Sequence, residues 1–171
     1  MEGYSGLVVE GTYGGQPAII KLYGPDDEGL DVCQQEVAAY GALAAVQGRL
    51  VPRMLGSGHA RAGVWFVALE AVPGVPLSRL NPVPAAAAAA AVAALRELHS
   101  AVPGFVHGDI RLPNILFVEG GRDAGGSDGW LGGAPKAGSH CVIVDLGMAR
   151  LGAAEEDVQA EQGLLERLLG V

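Results

Sequence analysis

Two short polar clusters in this 171-residue chain combine residue types that can do chemistry together: His107 to Asn114 reads HGDIRLPN, and Val142 to Gly147 reads VIVDLG. Each adjoins a short apolar stretch, Ile115 to Val118 and Cys141 to Val144. Paired as strands, these stretches would bring both clusters to one small site. Transfer of a phosphoryl group to a hydroxyl needs one carboxylate beside that hydroxyl and separate oxygen ligands for the magnesium ions that neutralise the phosphates. Asp109 suits the first task, and Asn114 and Asp145 suit the second. Asp and Asn also bond their own backbone in ordinary turns, but the joint spacing favours a site. His107 reads as a structural hydrogen-bonder rather than a proton carrier. Arg111 reads equally well as a counter-charge for a transferred phosphate or as the surface partner of a carboxylate.

The elements that must position these clusters follow from periodicity. From Leu7 to Tyr23, LVVEGTY and AIIKLY flank Gly14 and Gly15, the pattern of two strands and a tight turn. Asp31 to Val46 carries Val32, Val37, Tyr40, Leu43 and Ala44 at helical spacing, with Gly48 where a helix would stop. Strands fit Val51 to Leu55 and Val64 to Val72. PGVPLSRLNPVP, ending at Pro84, reads as a connector, because three of its four prolines bar ladders and helix interiors. Pro84 suits the first turn of a helix reaching about Ser100, buried through Val92, Leu95, Leu98 and Val102. Gly120 to His140 holds eight glycines among 21 positions without an apolar period, which predicts a flexible surface insertion. Glu155 to Leu169 predicts a last helix, acidic at its start and leucine-rich later.

Composition narrows the function classes. Half of the residues are hydrophobic, enough for one domain, possibly of two lobes. A net charge of −8 would repel a nucleic-acid backbone, so no nucleic-acid partner is expected. Cys33 and Cys141 lie too far apart to suggest a metal motif or a disulfide framework, which fits a reducing, cytoplasmic setting. The longest apolar run, Pro84 to Leu95, is too short to span a bilayer, so a soluble protein without membrane contact is expected. The alanine run from Ala85 to Ala91 carries little functional weight.

HxDxxxxN followed by a strand and a DxG turn resembles the catalytic loop and metal-binding motif of the protein kinase superfamily, with Asp145, Leu146 and Gly147 in place of its DFG. The resemblance implies further roles in the order that family requires. Lys21 would grip the α and β phosphates, and Glu36 would be its ion-pair partner. Gly3, Gly6 and Val8 resemble the latter part of the glycine-rich loop. Leu69 to Val72 resembles the hinge, where the backbone of Glu70, Ala71 and Val72 would read adenine. The plain alternatives are a snorkelling Lys21, an exposed helical Glu36 and a frayed terminus at Gly3 and Gly6. Glycine at 108 makes the loop similar to the HGD form of aminoglycoside, choline and RIO-type kinases.

Departures from the family pattern are a missing first strand and first loop glycine, few residues after Gly147 and no APE motif. The implied fold is α+β, a single protein-kinase-like domain with an N-lobe at 1–72, hinge and connector at 73–83, and a reduced C-lobe at 84–171 containing the insertion at 119–140. The implied activity is transfer of the γ-phosphate of ATP, with Mg2+, to a hydroxyl, a protein serine or threonine first. A small-molecule hydroxyl is the runner-up, and a non-catalytic nucleotide-binding scaffold is the alternative from another class.

Overall fold

The computed structural model describes residues 6–120 and 138–171. Gly3 and most of the predicted insertion therefore lie outside the described residues.

The fold is α+β. Strands β1 (Leu7–Tyr13) and β2 (Gln16–Tyr23) form the expected hairpin, paired from Leu7↔Leu22 to Tyr13↔Gln16. Its turn places both Gly14 and Gly15 at positive φ, 57° and 81°, which matches the twist of the strands it joins. β3 (Met54–His59) and β4 (Trp65–Glu70) complete an antiparallel sheet of order β1-β2-β4-β3. Both strands differ from the predicted bounds. Leu50 and Val51 are buried without joining this sheet, because the Leu50 carbonyl accepts from Ile143 N at 2.8 Å and so ties the segment to the second sheet.

Helix α1 (Asp27–Ala42) starts four residues before the predicted Asp31. Asp26 caps it, its carboxylate accepting from Gly29 N at 2.8 Å, with Asp27 and Glu28 in the first turn, where the helix dipole favours negative charge. The helix stops at Ala42 and a 3-10 turn covers Ala44–Val46, so the predicted run to Val46 is two elements. Its buried face is also rotated from expectation. Gly29, Cys33, Glu36 and Tyr40 point inward, while Val32 and Val37 are only partly buried. A glutamate takes a core position because β2 supplies its partners.

In the connector, Val75–Pro76 forms a short strand β5 paired with Phe117 and Leu116. The expectation that its prolines bar a ladder fails here because β5 is an edge strand, where a missing N–H costs no pairing. β6 (Ile115–Val118) and β7 (His140–Ile143) pair antiparallel from Ile115↔Ile143 to Val118↔His140, giving the order β5-β6-β7. Helix α2 (Ala85–Ala101) buries Ala87, Ala88, Ala91, Ala94, Leu95 and Leu98. The alanine run is thus a packing face, whose small side chains let α2 lie close against β7. The Cys141 thiol sits 3.7 Å from the Ala87 carbonyl.

α3 (Glu155–Leu169) has the predicted bounds and packs on α2 through the fully buried Leu165. Both cysteines are free and buried. Among the described residues no helix is long and apolar enough to cross a membrane.

Candidate active site

Alternation along β2 places Lys21 and Tyr23 on one face, toward the buried side of α1. Glu36, with a side chain 0% exposed, meets both. Lys21 Nζ donates to Glu36 Oε1 at 2.7 Å, and the Tyr23 hydroxyl donates to Glu36 Oε2. Lys21 Nζ also donates to Asp145 Oδ1 at 2.6 Å, so one ammonium spans the two carboxylates. Burial alone would lower the Lys21 pKa, but the attraction of Glu36 and Asp145 outweighs it and holds the group above its ordinary 10.5. Burial would raise Asp145, and Lys21 outweighs that in turn, keeping the carboxyl below its ordinary 3.8. Burial pushes the Tyr23 hydroxyl up, reinforced by the charge of Glu36.

The register of β6 and β7 brings the two polar clusters together. Val144 N donates to the Asn114 carbonyl at 2.9 Å, so Asn114 and Asp145 stand at neighbouring strand ends. Asp145 has φ 69°, the one non-glycine residue at positive φ among those described. Aspartate tolerates this left-handed region better than most residues. The Val144 carbonyl beside it accepts from His107 Nε2 at 2.9 Å, while His107 Nδ1 accepts from Asp109 N at 3.2 Å. His107 is fully buried and its pKa is lowered, chiefly by that burial, as suits a neutral ring donating with one nitrogen and accepting with the other. His107 therefore joins the two clusters as a structural hydrogen-bonder.

Asn114 Nδ2 donates to both the carbonyl and Oδ2 of Asp109, each at 3.0 Å, which orients the Asp109 carboxylate and leaves Asn114 Oδ1 as the free acceptor of that amide. Arg111 pairs with Asp109 at 2.9 Å, its side chain 58% exposed. Gly108 stands at φ 79°, and a Cβ there would run into the Met148 carbonyl oxygen. An arginine in its place would be excluded by both its conformation and its bulk.

A cavity of about 600 Å³ lies between the two sheets, lined by Val8, Lys21, Glu70, Ala71, Val72, Asn114 and Asp145, all singled out by the sequence. Glu36 stands behind Lys21 rather than in the lining, and Asp109 and Arg111 stand beyond Asn114. Gly6 is not in the lining either; it abuts the Leu22 carbonyl at the start of β1, where a Cβ would collide. At the cavity edge Ala71 N is engaged with the Pro17 carbonyl at 3.3 Å, and the Val72 carbonyl accepts from Gly74 N at 2.9 Å. Among the described residues no group of three or more His, Cys, Asp or Glu side chains is placed to hold a metal ion.

Two residues at the site went unnoticed in the sequence. Tyr23 could have been found from its place two residues beyond Lys21 in one strand. Glu161, in α3, accepts from His107 N at 3.0 Å, Gly108 N at 2.7 Å and His99 Nε2 at 2.9 Å, and no spacing relates it to the loop it touches.

The family model described as the phosphotransferase enzyme family (APH) matches residues 2–104. That span holds Lys21, Glu36 and the Glu70–Val72 edge, whereas the loop from His107 to Asn114 and Asp145 lie beyond it. No curated protein matches the chain.

Proposed function

The chain belongs to the phosphotransferase enzyme family, and from that premise we propose that it transfers the γ-phosphate of ATP to a hydroxyl acceptor in a magnesium-dependent reaction. The observation that carries this reading is the convergence at one cavity of Lys21, spanning Glu36 and Asp145 at 2.7 and 2.6 Å, with Asn114, which orients Asp109.

Lys21, held by Glu36, keeps its positive charge and orients the phosphates. Along the Glu70–Val72 edge, Glu70 N, Ala71 N and the Val72 carbonyl are held by Arg53, Pro17 and Gly74, so the adenine is taken by the Ala71 carbonyl and the Val72 N–H, and Val8 covers it from β1. Asn114 Oδ1 and the Asp145 carboxylate are hard oxygen donors at neighbouring strand ends and would hold magnesium. Bound there, magnesium would neutralise charge on the phosphates. Asp109 orients the acceptor hydroxyl and takes its proton. Arg111, already paired with Asp109, limits the build-up of negative charge beside it.

Of the two acceptor classes, a protein serine or threonine follows from the superfamily at large. A small-molecule hydroxyl is favoured by Gly108, because the backbone at φ 79° against Met148 commits the loop to the HGD form.

Thermal unfolding with and without MgATP tests the donor site, since a ligand that binds only the folded state raises stability. The native chain should gain stability and Asp145→Ala should lose most of that gain. A well-folded native chain indifferent to millimolar MgATP would overturn the reading in favour of a scaffold. Once the gain is seen, labelled ATP against a panel of aminoglycosides, amino alcohols and unstructured serine/threonine peptides separates the acceptor classes.

A further inference from the structure

We propose, on the reading above of Lys21 as the cation that meets the phosphates, that Tyr23 is a positioning residue for ATP: by filling one oxygen of Glu36 it keeps the Lys21 ammonium on the other and on Asp145. The hydroxyl is what needs a reason. Tyr23 is 3% exposed, and a phenylalanine would fill the same space without carrying a polar atom into the core.

Ile19, Lys21 and Tyr23 alternate onto one face of β2. Ile19 and Lys21 line the cavity and Tyr23, next along that face, does not. Its hydroxyl reaches the site through Glu36, donating to Oε2, while Lys21 Nζ donates to Oε1 at 2.7 Å. Two donors on a single strand thus grip the two oxygens of one carboxylate, which fixes its rotation as well as its place. An ammonium carries three donors. Glu36 takes one and Asp145 Oδ1, at 2.6 Å, takes a second, which leaves the third for a phosphate oxygen. Without the Tyr23 hydroxyl, Oε2 is a buried carboxylate oxygen short of that donor, and the ammonium already on Oε1 is the cation beside it. Bridging both oxygens would draw Lys21 from Asp145 and occupy the donor that the phosphate needs.

A buried tyrosine near this carboxylate does not bond it as a matter of course. Tyr40 follows Glu36 by one helical turn on the inward face of α1 and is fully buried, yet its hydroxyl has no partner among the described residues. Tyr23 bonds Glu36 because strand alternation aims it there. Tyr40→Phe is therefore the matched control, removing the same atom from the same helix interface without removing a hydrogen bond.

The test is calorimetric titration of MgATP and of adenosine into the full chain, native and variant, each well below its own Tm. Tyr23→Phe should weaken MgATP binding by roughly 10-fold, the scale of one hydrogen bond to a charged group. Adenosine has no phosphate for Lys21 to meet, and the adenine edge pairs with the Ala18 end of β2 while Tyr23 pairs at the Trp65 end. Its affinity should stay within about twofold of native, as for sites that do not touch. Tyr40→Phe should leave both affinities unchanged, and in a Glu36→Gln background Tyr23→Phe should cost nothing further, since the hydroxyl acts through that carboxylate. Unchanged MgATP affinity in Tyr23→Phe overturns the proposal, as does an equal loss for adenosine or an equal loss in Tyr40→Phe, either of which marks general damage to the core. If Tyr23→Phe does not fold, sucrose, which favours the compact state, is added to native chain and variant alike; a variant still unfolded there marks a purely structural hydroxyl and overturns the proposal too. A native chain that does not bind MgATP defeats the phosphotransfer reading first and this inference with it; a native chain that binds MgATP and is indifferent to Tyr23→Phe defeats this inference alone.

Discussion

Two buried carboxylates hold opposite sides of the cleft by different chemistry. Glu36 works through a side-chain cation, taking Lys21 on one oxygen and Tyr23 on the other, and the lysine passes the connection on to Asp145. Glu161 works through backbone, taking two successive N–H groups and a histidine from the neighbouring helix. In both places the cost of burying a charge is offset by filling both carboxylate oxygens. The difference is in what each one positions. Glu36 positions a side-chain charge that lines the cavity, whereas Glu161 positions a stretch of main chain.

That contrast can be broken or sharpened in three ways. The largest effect belongs to the residue that follows those two N–H groups: Asp109→Asn should lower turnover by roughly 10²- to 10⁴-fold, the span removed with a general base. Its carboxylate is about a third exposed, so the melting temperature should barely move in a calorimetric scan. On the other side, Lys21→Met should cost about 3 to 5 kcal/mol in urea unfolding, the usual penalty for stranding one charge of a buried pair, and should also remove stabilisation by MgATP. If Lys21→Met proves as mild as Asp109→Asn, the Glu36 carboxyl is not held by the lysine and the comparison fails.

The smallest effect is in pH dependence, and it separates the two sides by direction. Lys21 has a folded pKa raised above 10.5, so its contribution is complete below 10.5 and is lost as pH rises through the folded value. Glu161 has a folded pKa below 4.5, so its contribution is present above 4.5 and is lost as pH falls through the folded value. Urea midpoints measured against pH should therefore lose part of their acid slope in Glu161→Gln and part of their alkaline slope in Lys21→Met. Loss of the same slope in both variants would mean that the two carboxylates do not act separately.

Much of the candidate site was legible because its residues sit in short segments whose spacing is itself chemical. Lys21 in an apolar strand, Asp109 and Asn114 five apart, and Asp145 before Gly147 all carry their signal within a few residues. Bounds were less legible. α1 starts early because Asp26 caps it, and its inward face is set by Lys21 and Tyr23 on a strand rather than by its own valines. The alanines of α2 gave no clear face by themselves, since alanine is equally at home on either side, and only contact with β7 chose one.

The chain by itself determined the hairpin at Gly14 and Gly15, the last helix, and the residue types able to handle phosphate and proton. These depend on local backbone preference and on chemistry that few side chains possess. Only the tertiary structure decided that Glu36 lies inside, that Asp145 shares Lys21 with it, and that Glu161 reaches back to His107 and Gly108. Each of those depends on a partner distant in sequence, and a buried charge becomes tolerable only once the fold has brought its partners within hydrogen-bonding distance.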